Sequence, residues 1–126
     1  MYQVIPIIDR TPYASVATAV EVPLARHIKI PGAVSGVLVV KVHASPSAGT
    51  WTVHAQNAAT STEDPGINFI DGSRDVASVA VSGTTYNLWH GSLTAPIGEE
   101  LNFFLSTPAN AAQSITISVD LVIRDA

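Results

Sequence analysis

Near the C-terminal end, Ile115, Ile117, Val119, Leu121 and Ile123 alternate with Thr116, Ser118 and Asp120. No feature of the chain constrains its fold more. A two-residue period places the apolar set on one face of an extended strand and the polar set on the other, so Ser114–Arg124 reads as a half-buried β-strand. A strand with one greasy face needs partner strands and an opposing layer, and the rest of the chain is built to supply them.

The longest apolar run lies in Val34–Gln56. Gly36 to His43 is rich in β-branched residues, Ala44 to Gly49 supplies turn formers, and Thr50 to Gln56 alternates apolar and polar. Read as a β-hairpin with His43 opposite Thr50, this stretch gathers Leu38, Val40, Val42, Trp51, Val53 and Ala55 on one face. Val37, Val39, Lys41 and His43 then share the other face with Thr52, His54 and Gln56. A one-residue slip would turn the whole apolar set toward water, so the hairpin register is expected to be well specified.

Tyr2–Ile8 is apolar enough for a strand, but Pro6 cannot donate to a ladder, so residues 1–12 form an N-terminal arm or an edge strand, with Asp9–Pro12 as a loop. Ser15–Val22 alternates with Val16, Thr18, Val20 and Val22 on one side, Pro23 ends that run, and Leu24–Ile30 resumes it. Residues 57–66 have no periodicity, and a short strand follows at Ile67–Ile70. Val76–Val81 and Tyr86–Leu93 read as a second hairpin around Ser82–Thr85. Further on, Leu101, Phe103 and Leu105 point one way, Asn102 and Phe104 the other. Eight or nine short strands with turn-rich connections and no sustained helical period indicate one all-β domain spanning residues 1–126. It is expected to be an antiparallel β-sandwich, with a jelly roll preferred and an immunoglobulin-like arrangement as the alternative.

Apolar residues make up 47% of the chain and charged ones 13%, about half the usual charged share. Such a surface is either covered by copies of itself or by a partner, or simply rich in Ala and Thr. The formal charge is −4 with no Lys/Arg cluster, which disfavours nucleic acid and anionic membranes as partners. No apolar run approaches the ~20 residues of a membrane helix, and the first residues lack the basic head and cleavage site of a signal peptide. Synthesis in a cytoplasm is expected. With no cysteine, disulfides, thiolate metal sites and cysteine nucleophiles are excluded.

Little of the remaining chemistry converges. In the hairpin register His43 and His54 share a face but lie about four residues apart, ~13 Å at ~3.3 Å per residue, too far for one ion. His27 and His90 have no acidic or histidine partner at ligand spacing, and read as surface or packing residues. Glu63, Asp64, Asn68, Asp71 and Asp75 form an acidic cluster whose spacing matches no EF-hand and is interrupted by Pro65; it reads as a solvated loop, with a bound calcium ion as the lesser alternative. Glu99 and Glu100 are adjacent on a strand and so face opposite ways. No nucleophile elbow, phosphate loop or dinucleotide fingerprint occurs, so the chain reads as non-enzymatic and without a cofactor. If Tyr86, Leu88 and His90 face inward, Trp89 is left as an exposed indole for a partner or a glycan.

The Ala/Val/Ser/Thr-rich strands, the Ser45–Val53 turn-to-strand passage, Ala95–Leu101 and the Ile115–Ile123 strand are the features that carry a likeness. Through them the chain resembles the small β-sandwich proteins of tailed-bacteriophage virions, in particular head decoration or capsid-stabilising proteins. The resemblance implies a non-enzymatic virion protein, a homo-oligomer with a trimer favoured, that docks on the major capsid protein. A carbohydrate- or ligand-binding module is the alternative. Val37 and Val39 are more apolar than an exposed sheet face needs, so their face is expected to be covered by another sheet, a neighbouring subunit or the N-terminal arm. The expected interface residues are Ile5, Ile7, Val37, Val39, His43, His54 and Trp89.

Overall fold

Eight strands absorb the alternating stretches of the sequence. The computed structural model describes residues 2–30, 34–44, 49–57, 75–82, 88–92, 100–109 and 113–125. The strands are β1 (Tyr2–Ala14), β2 (Glu21–Lys29), β3 (Val34–Ala44), β4 (Thr50–Asn57), β5 (Asp75–Ser82), β6 (Leu88–Ser92), β7 (Glu100–Ser106) and β8 (Ser114–Asp125). They form two antiparallel four-stranded sheets, the first ordered β1-β8-β3-β6 and the second β2-β7-β4-β5. The sheets face each other as a β-sandwich.

The alternation of β8 is realised as expected. Ile115, Ile117, Val119, Leu121 and Ile123 are buried against the second sheet, while Thr116, Asp120, Val122 and Arg124 lie on the outer face with part or all of their surface in water. Leu38, Val40 and Val42 of β3 join them from one side, and Trp51, Val53, Ala55, Leu101, Phe103 and Leu105 from the other. Each large side chain fully removed from water in this layer contributes roughly 1.5–3 kcal/mol. The Trp51 indole Nε1 is buried there with no hydrogen-bond partner, which offsets part of the gain from burying its rings.

The expected Val34–Gln56 hairpin does not form. β3 and β4 lie in opposite sheets, and the six residues assigned to one hairpin face instead meet across the core. The second expected hairpin is also replaced by a crossover, since β5 belongs to the second sheet and β6 to the first. β4 and β5 are the one consecutive pair that hydrogen-bond to each other among the described strands. At the corner where β5 and β6 approach, Gly91 lies so close to the Ser78 carbonyl that a Cβ would stand 2.4 Å from it, so this position excludes any side chain.

Two further boundaries differ. Residues 15–20 are not a strand but the passage from the first sheet to the second, with Val16 and Val20 exposed. Buried Ser15 and Thr107 hold it at both ends: Ser15 N donates to Gln113 O at 2.8 Å, and Thr107 N to Val20 O at 2.8 Å. Pro23 does not end a strand, because β2 runs through it as a sheet edge, where a missing N–H is tolerated. The same holds for Pro6 in β1, the edge of the first sheet. β1 also continues through Asp9–Pro12, which is therefore a bulged strand and not a loop. The short Ile67–Ile70 strand and the aperiodic residues 58–66 lie outside the described residues, as do Glu63, Asp64, Asn68, Asp71 and Glu99.

Candidate functional site

The outer face of the first sheet carries a polar arrangement in which one serine hydroxyl meets three partners. It is created by irregularity in β1, whose pairing with β8 shifts between Pro6 and Ile8 and again between Ile8 and Thr11. At the second shift Asp9 and Arg10 together oppose Ser118, the two-against-one count of a β-bulge. Arg10 adopts φ 43°, the left-handed region that a non-glycine residue enters at a cost of about 1 kcal/mol or more.

Ser118 is the reason the bulge holds. Its Oγ accepts from Arg10 N at 3.0 Å, donates to Asp9 Oδ1 at 3.0 Å and lies 2.7 Å from His43 Nε2. A hydroxyl has one proton to donate and two lone pairs. With the proton on Asp9 and one lone pair on Arg10, the last contact requires His43 Nε2 to carry the hydrogen and donate.

A serine, a histidine and an aspartate in contact invite comparison with a catalytic triad, and the chemistry argues against it. In a triad the aspartate orients the histidine and the histidine accepts the serine proton. Here the aspartate contacts the serine, the histidine nitrogen facing the serine is already protonated, and Ser118 is buried with its hydrogen-bonding capacity filled. The trio braces a bulge.

Around this brace Pro6, Ile8, Lys41 and Asp120 complete a half-open depression of about 310 Å³. Asp9 and Asp120 balance Arg10 and Lys41, so the depression has mixed charge with no net sign. Among the described residues no group of three or more His, Asp or Glu side chains is placed to hold a metal ion.

A second bulge repeats the design on the other sheet. β2 shifts register against β7 around Ala25–Ile28, and His27 takes φ 54°. Its backbone N donates to Asn102 Oδ1 at 2.7 Å, and Asn102 is fully buried. The imidazole Nδ1 lies 2.9 Å from Glu100 Oε2, a pair whose side chains are substantially exposed. His27 thus has an acidic neighbour that its sequence spacing conceals, since Glu100 arrives from the adjacent strand.

The expected interface residues do not gather in one place. Val37, Val39 and His43 lie on the outer face of the first sheet, while His54 lies on the second sheet, 3.0 Å through Nε2 from Ser106 Oγ. His43 and His54 therefore sit on opposite faces of the sandwich. Ile5 and Ile7 are half-buried and pack against the core from β1. Trp89 also packs against the core, and its exposed neighbours are Leu88 and His90, the reverse of the expected orientation. Val40, buried, pairs with Trp89 in the ladder, which fixes that phase.

What the outer face of the first sheet offers is an apolar row beside the polar depression. In ladder register Val4 lies next to Val122, and Val122 next to Val37. Val39 follows one row on, and Leu88 two rows on. Val4 is 58% and Leu88 56% exposed, whereas Val37, Val39 and Val122 are half-buried. Asp9, Arg10, Ser118 and Asp120 had no motif to mark them; the one available signal was their place on the polar side of the β8 alternation and opposite it. Comparison of the chain with protein-family models, with characterised proteins and with solved structures found no match.

Proposed function

We propose that this chain is a non-enzymatic structural protein of a virion, self-associating through the outer face of its first sheet and docking on a major capsid protein. The observation that carries the reading is the Val4–Val122–Val37 row, with Val39 one row on and Leu88 two rows on. An antiparallel sheet with one solvated face normally presents polar residues there, and a contiguous apolar patch marks a contact surface. The resemblance to phage head decoration proteins supplies the virion setting.

The strand order supports a jelly roll over an immunoglobulin-like sandwich. An immunoglobulin-type order places the first two strands side by side and contains two further consecutive pairs within its sheets. Here consecutive strands alternate between the sheets except for β4 and β5.

Quantitative mass spectrometry of purified particles from the source tests the reading. The expected result is this chain at a copy number in fixed ratio to the major capsid protein. Its absence from particles, together with polysaccharide binding by the purified chain, would favour the ligand-binding alternative that the mixed-charge depression accommodates.

A further inference from the structure

We infer that the outer face of the first sheet pairs with the same face of a second copy about a two-fold axis passing at Val122, with Asp120 of each copy against Arg124 of the other. The inference rests on the self-association reading and specifies its geometry. It replaces the trimer that the resemblance implies with an isologous dimer.

The outward row of β8 is Thr116, Ser118, Asp120, Val122 and Arg124. Asp120 and Arg124 are its two charged members, and Val122 lies midway between them. A two-fold axis in the interface plane, perpendicular to the strands, leaves lateral position unchanged and inverts position along the strand. With the axis at Val122, Val122 meets its own copy, Asp120 meets Arg124, and Arg124 meets Asp120. The adjoining Val37 and Val4, which share the Val122 row, likewise meet themselves, so the apolar row closes on itself. Moving the axis by one outward position, to Asp120, would set Arg124 against Thr116 and Asp120 against Asp120, an unpaired charge and a like-charge contact.

Sheet geometry is compatible with this arrangement. Packed sheets cross at about 30°, so contacts hold best near the axis and diverge toward the edges. β8 is the middle of the three long strands, flanked by β1 and β3, and its charges therefore sit where divergence is least. β1, β8 and β3 contain 13, 12 and 11 residues. At ~3.3 Å per residue and ~4.8 Å between strands, the face measures on the order of 600 Å² in projection. With the axis at Val122, the part that overlaps the other copy runs from Val119 to Asp125 of β8 with its ladder partners on β1 and β3. At about seven residues per strand it measures on the order of 330 Å² in projection, less than the ~800 Å² per side of a standard interface and on the scale of a weak, concentration-dependent dimer.

Charge reversal and cross-linking test the pairing on the full chain. Asp120→Arg and Arg124→Asp, made singly, each create two like-charge contacts per dimer and are expected to weaken association at least about tenfold. Made together, they restore both opposite-charge contacts and the wild-type dissociation constant. Val122→Cys provides an independent readout in a chain with no native cysteine. Facing sheets stand ~10 Å apart, beyond disulfide reach, so a short bis-maleimide should link two copies through Val122→Cys. It should not link them through Ala80→Cys, which is exposed on the second sheet. Recovery in the double reversal and cross-linking specific to position 122 support the pairing. A self-associating wild type whose affinity ignores the reversals, or that sediments as a trimer, overturns the two-fold geometry and leaves the self-association reading standing. A wild type that is monomeric throughout overturns both.

Discussion

The backbone N–H of His27 points at the buried side-chain oxygen of Asn102, 2.7 Å away, where β2 bulges against β7. The bulge forces His27 to φ 54°, and the Asn102 amide satisfies the donor that the broken ladder leaves over. Asn102→Ala is therefore expected to cost about 1–3 kcal/mol, the penalty for an unpartnered polar group. His27→Gly keeps the N–H and relieves the left-handed backbone, so it should stay within about 1 kcal/mol of wild type. Urea unfolding of the two variants checks the contrast, and an unchanged midpoint for Asn102→Ala would remove the amide from its role.

On the first sheet Ser118 holds the matching bulge. Ser118→Ala removes the acceptor for Arg10 N and the donor to Asp9, with an expected loss of roughly 1–3 kcal/mol. Nitrogen NMR of the His43 ring gives a second readout: in the neutral wild-type imidazole the Nε2–H form should exceed the share it has in a free histidine side chain, and in Ser118→Ala it should fall back to that share. A serine-reactive fluorophosphonate should leave Ser118 unlabelled, and stoichiometric labelling would contradict the bracing role.

Gly91 and Ser78 meet where β6 and β5 close the sandwich. A methyl group at position 91 would stand 2.4 Å from a backbone carbonyl, which cannot swing aside like a side chain. Gly91→Ala should destabilise by about 1–3 kcal/mol or more. The exposed neighbour Ser92→Ala should stay within ±0.5 kcal/mol or so. Equal thermal melts for the two would rule out the close approach.

Burial raises the Tyr13 phenol above its ordinary value of 10.0. The folded state then holds the proton more firmly than the unfolded chain does. Stability from this group is fully present below pH 10 and is lost as pH rises through the folded-state value. Tyr13→Phe should flatten the alkaline decline in unfolding free energy measured from pH 9 upward, while identical declines would show that Tyr13 does not contribute.

The inward residues of β3, β4, β7 and β8 were legible because burial enforces a two-residue period whichever strand lies beside them. Their pairing was not. Leu38, Val40 and Val42 face Trp51, Val53 and Ala55 equally well across a sandwich core or along a hairpin, so alternation cannot separate the two. The turn-rich residues between Ala44 and Thr50 could cross the ~10 Å between sheets as easily as close a hairpin. Bulges hid the rest. Asp9–Pro12 lacks strand periodicity because an inserted residue shifts the phase, and Pro23 resembles a stop until the strand is known to be an edge. The polar contacts of Ser118 with Asp9 and of His27 with Glu100 join residues 109 and 73 positions apart, and no local spacing announces them.

Sedimentation velocity of the wild type and Val39→Lys, run side by side over a range of concentrations, tests most directly whether the first sheet's outer face is a self-association surface. Val39 lies on that face beside Asp120 and His90, and its replacement should leave the core untouched. The expected result is a wild type that shifts to a larger species with concentration and a variant that stays monomeric with an unchanged circular dichroism spectrum and melt. A wild type that remains monomeric, or a variant that associates as strongly as the wild type, would contradict it.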